Sequence, residues 1–414
     1  MTSSLPPPAL NLVLENLSNE PTSLKNCSLV SPEWSTVSAS LLFKSLRWPP
    51  RKQVPGLLED LSSLLECLMS SSRVRSSVCE LRIYSSKRDD SSSITAVMPQ
   101  ILAFLPKLRS LYLDTLLATP AEFPADPRVE AQDQRRTIDS VHLACKLHDL
   151  PVLLSPFRHI ASLIVTCHGG TGPQEIPAPR PPDPTLSVDS ITLHSSDEAV
   201  LSVLQGVLDT TRVHSLTLSA APTLAQPALQ SVLGSMSALR SLAYARVDPA
   251  APPFAPGAAP RLHAVALGGH LLARAAEPAR TAGVDDPGGR SGDADRAPAV
   301  PAGLGYSEWA AVLRDLRLLV CAATAHVALT LTVDEAHTVR DAESAAGALR
   351  AAFGALDWRG LGAVLRGAAA LTSVRLGVVY GGFLDAERCA GVLREVARER
   401  LPAGVVEKLR VEVV

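Results

Sequence analysis

Apolar residues recur along most of this chain in one short pattern, Φ-x-x-Φ-x-Φ, where Φ is apolar. It reads Val78-Leu81-Ile83, Leu108-Leu111-Leu113, Ile138-Val141-Leu143, Ile160-Leu163-Val165 and Val188-Ile191-Leu193 in the first half. Further on it reads Val213-Leu216-Leu218, Leu239-Leu242-Tyr244, Leu262-Val265-Leu267, Leu371-Val374-Leu376 and Val406-Leu409-Val411. Alternation over the last two apolar positions is that of a strand with one face buried. From Leu81 to Val265 the middle positions follow one another at 30, 30, 22, 28, 25, 26 and 23 residues. Helical stripes fill the gaps where they are legible, one at Ile94, Val97, Met98, Ile101, Leu102 and Leu105 and another at Val200, Val203, Leu204, Val207 and Leu208. Short strand, helix, short strand at this period predicts an α/β solenoid whose repeats bury one another.

The pattern also says which residues face out. Serine stands before the middle apolar residue in seven of ten repeats, at 110, 140, 162, 190, 215, 241 and 373, which chance would not produce. The residues flanking the middle position point away from the core. They are Glu80 and Arg82 in the first repeat, small groups such as Thr192, Thr217 and Ala243 centrally, and Arg375 and Arg410 at the end. A small-residue centre admits a partner's backbone or bulky side chain, and charged ends orient it. Thr192, Thr217, Ala243, Arg375 and Arg410 are therefore the candidate residues for holding a protein substrate.

Before the repeats, three short apolar sets spell three helices. Leu5, Leu10, Leu14 and Leu17 form one, entered through Pro6 to Pro8. Leu24, Leu29 and Val30 belong to a second, and Trp34, Val37, Leu41, Leu42 and Phe43 follow the break at Ser31-Pro32. A unit under fifty residues long buries little by itself. The run Leu5-Pro6, Leu10, Leu14, Leu17, Leu24, Leu29-Val30-Ser31, Trp34, Leu42-Phe43 resembles an F-box of the kind common in fungal proteins. Pro8-Ala9 stand where that family usually has an acidic residue. The resemblance implies docking on a Skp-type adaptor and, through a cullin scaffold, membership of an SCF-type ubiquitin ligase. By the same resemblance Leu5, Pro6, Leu10, Leu14, Leu29, Val30, Trp34 and Phe43 are the adaptor-binding residues, divided between the unit's own core and the adaptor.

The repeats look like leucine-rich repeats. They lack the family's Asn or Cys three residues past the last apolar position, where Ser86, Leu116, Lys146, His168, Ser196 and Ala221 stand, so their turns need other hydrogen-bond partners. The expected organisation is an F-box-like helical unit over 1–48, a linker helix over 49–76 and a leucine-rich-repeat-like βα solenoid over 77–270. A low-complexity insertion over 271–304 and irregular C-terminal repeats over 305–414 complete it.

Composition narrows the function classes. A net charge of −2, from 39 basic and 41 acidic residues, gives no sequence-independent attraction to nucleic acid or to an anionic membrane. The uncharged run Leu318 to Val333 is sixteen residues long, short of the twenty or so a spanning helix needs. Seven scattered cysteines without a CxxC pair argue against a disulfide framework or a zinc site, so we expect a cytoplasmic or nuclear protein. Asp334-Glu335-Ala336-His337 after an apolar strand spells a helicase box, but no Gly-Lys pair exists anywhere to cradle a phosphate. Cys167-His168-Gly169-Gly170-Thr171-Gly172 leads into Pro173 rather than a helix, and no GxSxG elbow accompanies it. The expectation is a non-catalytic adaptor with no cofactor and no metal. The alternative is a repeat scaffold in which the N-terminal helices are only a cap.

Overall fold

The computed structural model describes residues 6–49, 61–84, 91–115, 135–168, 186–194, 198–218, 226–244, 262–273, 305–335, 341–380 and 384–414. Leu5 and residues 274–304 of the expected 271–304 insertion lie outside them, while residues 271–273 belong to a strand. Two compact units divide the chain, Met1–Val213 and His214–Val414.

The first unit opens with helices α1 (Pro7–Asn16), α2 (Pro21–Cys27) and α3 (Pro32–Leu42). Each has proline at its entry, where the missing N–H would be unpaired in any case. Ser31 fixes the start of α3, its hydroxyl accepting the Trp34 N–H at 3.3 Å. Leu10, Leu14 and Leu24 form the interior of this bundle, with Leu17, Cys27, Trp34, Val37, Leu41 and Leu42 packed around them.

Next come β1 (Ser45–Trp48), α4 (Leu61–Ser70), α5 (Ser72–Ser77), β2 (Glu80–Tyr84), α6 (Ser91–Phe104), β3 (Ser110–Asp114) and β4 (Arg136–Lys146). After these follow α7 (Leu150–Leu154), β5 (Phe157–His168), β6 (Leu186–Leu193), α8 (Glu198–Val207) and the short β7 (Leu208–Asp209). Strands β1 to β6 pair in chain order, all parallel, and β7 adds to β6. The second unit repeats the scheme with β8 (Ser215–Leu218), α9 (Gln226–Ser235), β9 (Ser241–Tyr244), β10 (Ala264–Ala273), α10 (Gly305–Leu319) and β11 (His326–Glu335). It ends with α11 (Ala342–Gly354), α12 (Trp358–Gly367), β12 (Ser373–Tyr380), α13 (Ala386–Arg400), α14 (Ala403–Val406) and β13 (Leu409–Val413). Strands β8 to β13 are likewise parallel and in chain order.

The last two apolar positions of all ten sequence repeats lie on strands, and their columns are in register. Leu81 pairs with Leu111, Leu111 with Val141, Val141 with Leu163 and Leu163 with Ile191. In the second unit Leu216, Leu242, Val265, Val327, Val374 and Leu409 form the equivalent row. From Leu81 to Ile191 and from Leu216 to Val374 these residues are at most 2% exposed. Each helix–strand step thus buries its apolar face on its neighbours, and each unit is a mixed α/β array of solenoid type.

Two further strands carry the pattern in forms that are easy to pass over. In β1 it is Phe43-x-x-Leu46-x-Trp48, and Leu46 pairs with Leu81. Residues 45–48, read from sequence as the end of the helical unit, are therefore the sheet's first strand, because Trp48 finds a buried place there at 6% exposure. In β11 the first position is polar. Thr324 is fully buried, and its hydroxyl donates to the Leu262 carbonyl at 2.9 Å while accepting the Cys321 N–H at 3.0 Å. Single side chains of this kind tie neighbouring repeats together where their strands begin. Arg136 Nη1 donates to the Leu105 carbonyl at 2.7 Å, Lys408 Nζ to Leu371 at 2.7 Å and Thr372 Oγ1 to Ala325 at 3.0 Å.

Candidate functional site

The three N-terminal helices divide the residues named for docking. Leu10 and Leu14, at 3% and 0% exposure, belong to the interior, so they act on any partner only through the shape of the bundle. Trp34 and Phe43 are half-buried, Trp34 against that interior, and Pro6 is exposed, its carbonyl accepting the N–H groups of Ala9 and Leu10. Leu29 and Val30, in the turn between α2 and α3, are 84% and 65% exposed. Leu12 and Val13 on α1 are exposed as well. These last two fall off the Leu10-Leu14-Leu17 stripe, so sequence periodicity passed over them. The signal was present, since an apolar residue off the buried stripe of a short helix has nowhere in its own unit to go.

The outward face of the first unit's strands bears a row of stacked rings. The Arg47 guanidinium on β1 lies 4.3 Å from the centre of the Tyr84 ring at the end of β2. Tyr84 and Tyr112 have centroids 5.1 Å apart, and Tyr112 meets His142 of β4 edge-on at 4.5 Å. Such contacts hold the rings in place ahead of any partner. Burial raises the Tyr112 phenol above its ordinary value, with Asp114 adding to the effect. Burial also depresses the His142 imidazole, and the neighbouring His194 pushes it the same way. Both rings thus favour their neutral forms. Arg82 is tied to Glu80, Nε to Oε1 at 2.6 Å. Sequence reading named Glu80 and Arg82 here and missed Arg47, Tyr84 and Tyr112. The chain has only five tyrosines, and finding two on adjacent repeats was the available clue.

The remaining substrate candidates separate by unit. Thr192 on β6 is half-buried and pairs with Ile164 in the first unit. Thr217, Ala243, Arg375 and Arg410 fall in one register row of the second, running Thr217, Ala243, Ala266, Ala328, Arg375, Arg410. Four small side chains followed by two guanidiniums make a shallow track with a cationic end. Arg375 Nε reaches Glu412 at 3.0 Å, and both arginines are exposed.

No protein-family model matches the sequence, and no curated protein is detectably similar to it. Among solved structures, a crystal structure of a Bacteroides fragilis protein is similar at 9% identity and a TM-score of 0.38, over 90% of this chain and 74% of that one. That likeness is too slight to bear on fold or function.

Among the described residues no group of three or more His, Cys, Asp or Glu is arranged to hold a metal ion, and no helix is long and apolar enough to cross a membrane. Asp334 and Glu335 end β11, while Ala336, His337 and residues 169–172 lie outside the described residues.

Proposed function

We propose that this protein is a non-catalytic substrate receptor of an SCF-type ubiquitin ligase. Helices α1 to α3 dock on a Skp-type adaptor and so on a cullin scaffold, and the strand faces hold the protein to be modified. One observation carries the reading: the N-terminal bundle completes its own interior with Leu10, Leu14 and Leu24, yet leaves Leu29 and Val30, 84% and 65% exposed, outside it. Adjacent large apolar side chains held clear of a finished core suit a permanent protein contact better than solvent. They lie in the segment whose pattern resembles an F-box.

A second reading treats the bundle as a cap on the array. It is supported by the seating of α3 beside α5, where Arg73 Nη1 donates to Ser35 Oγ at 3.3 Å. Co-expression with a Skp-type adaptor separates the two. The receptor reading expects the full chain to carry the adaptor through purification and a chain lacking residues 1–43 to lose it. Adaptor retained by the truncated chain, or absent from the full one, would leave the repeat scaffold as the better account.

A further inference from the structure

The outer edge of β13 is built differently from every other strand of its unit. Leu409 and Val411 occupy the two core columns that are at most 2% exposed on β8 to β12, yet here both are only half-buried. Val413 and Val414 are 40% and 65% exposed. The backbone shows which groups the edge presents. Val374 N–H donates to the Lys408 carbonyl and Val414 N–H to the Val378 carbonyl, so even-numbered residues of β13 face β12. Leu409, Val411 and Val413 therefore direct their N–H and C=O groups away from the sheet. Of these, the Val411 carbonyl accepts one bond, from Arg394 Nη2 of α13 at 3.2 Å.

We propose that the β13 edges of two copies of this chain pair antiparallel about a twofold axis at Val411. That register sets Leu409 against the second copy's Val413 and Val411 against itself. All three are hydrogen-bonded positions of an antiparallel ladder, which is what the outward backbone groups require. It also sets Arg410 against the second copy's Glu412, twice, at the non-hydrogen-bonded positions where side chains lie closest. The strand reads Leu-Arg-Val-Glu-Val, so one face of the joint is wholly apolar and the other pairs opposite charges. Arg410 and Glu412 are equidistant from the centre, so no other twofold register makes both matches. Each Glu412 keeps Arg375 of its own chain and gains Arg410 of the other. The joint is isologous and closes after two copies. Arg394 releases its carbonyl on pairing, and a joint this short is smaller than a permanent interface, so association depends on concentration.

Sedimentation of the full chain over a range from low micromolar upward tests this. The mass should rise from 43.7 kDa toward twice that value. Arg410→Glu sets like charges together across the joint while placing an anion beside Arg375 in its own chain, so the fold loses nothing. It should weaken association about tenfold or more. Glu412→Arg sets two arginines together and should do the same. An equimolar mixture of the two variants restores both opposite pairs and should recover association that neither variant shows alone. The proposal is overturned by a chain that stays at the mass of one copy, by growth past two copies, by Arg410→Glu associating like the parent, or by two folded variants that do not recover each other.

Discussion

Replacing Leu29 and Val30 together by alanine isolates the docking surface from the bundle beneath it. Alanine removes three carbons from Leu29 and two from Val30, worth about 2.4 and 1.6 kcal/mol at about 0.8 kcal/mol per buried methylene. Only the exposed share of each side chain is available to a partner, 84% and 65%. Full burial in the complex would thus lose about 2 kcal/mol at Leu29 and about 1 kcal/mol at Val30. The sum, about 3 kcal/mol, corresponds to roughly a hundredfold rise in Kd for the adaptor. Stability should change by no more than about 0.5 kcal/mol, because little of either side chain touches its own chain. Calorimetry with a purified Skp-type adaptor reads the first quantity and urea denaturation the second. Leu10→Ala is the contrasting control: it should cost about 2–5 kcal/mol of stability by opening the interior. If the double variant binds within about threefold of the parent while folding normally, Leu29 and Val30 are not the docking residues.

Other outcomes follow from single observations. Thr324→Val restores the apolar consensus of the repeats yet should destabilise by about 1–3 kcal/mol, because it strands the Cys321 N–H and leaves the Leu262 carbonyl only the weak Cys321 thiol at 3.6 Å; denaturant melts decide it. Deleting residues 1–43 removes Phe43 and the contact of α3 with α5 but keeps β1, so it should lower the melting temperature of the strand array less than deleting 1–48, which also removes β1 with its buried Trp48; calorimetric scans compare the two. His142 is held below its ordinary value in the folded chain, so the unfolded chain takes up the proton first. Stability should therefore fall as pH drops through the ordinary histidine range near 6.5, and His142→Asn should flatten that slope in melts across pH. For partners found by proximity labelling, Tyr112→Ala should weaken those held on the first unit by about 2 kcal/mol in calorimetry, and Thr217→Arg should block those held on the second.

Most of the strand framework was legible because burial on a strand leaves a two-residue alternation that needs no tertiary knowledge to see. The exceptions have specific causes. Phe43, Leu46 and Trp48 follow directly on the apolar set of α3, so a helix pattern absorbed a strand. Thr324 hid the first position of β11, because a threonine with both hydroxyl roles satisfied is as acceptable inside as a valine. The candidate site was less readable. Leu14 and Leu29 are the same residue type in neighbouring helical patterns, and only the packed bundle shows one interior and the other exposed. The Arg47, Tyr84, Tyr112 and His142 row depends on register between strands about thirty residues apart, which composition cannot supply.

Because every strand pairs with the strand next to it in sequence, either unit can gain structure by extension from any formed pair, in the manner of a zipper. The closing steps are not equal. Leu242 and Val265 are 23 residues apart, while Val265 and Val327, which also pair, are 62 apart. Chain-closure entropy makes the longer step costlier by about 0.9 kcal/mol. Within the second unit, growth should therefore hesitate between β10 and β11. Once closed, the same joint is the widest between β8 and β11, ten residue pairs against four at β8–β9 and four at β9–β10, so the slow step to form is also a firm one to undo.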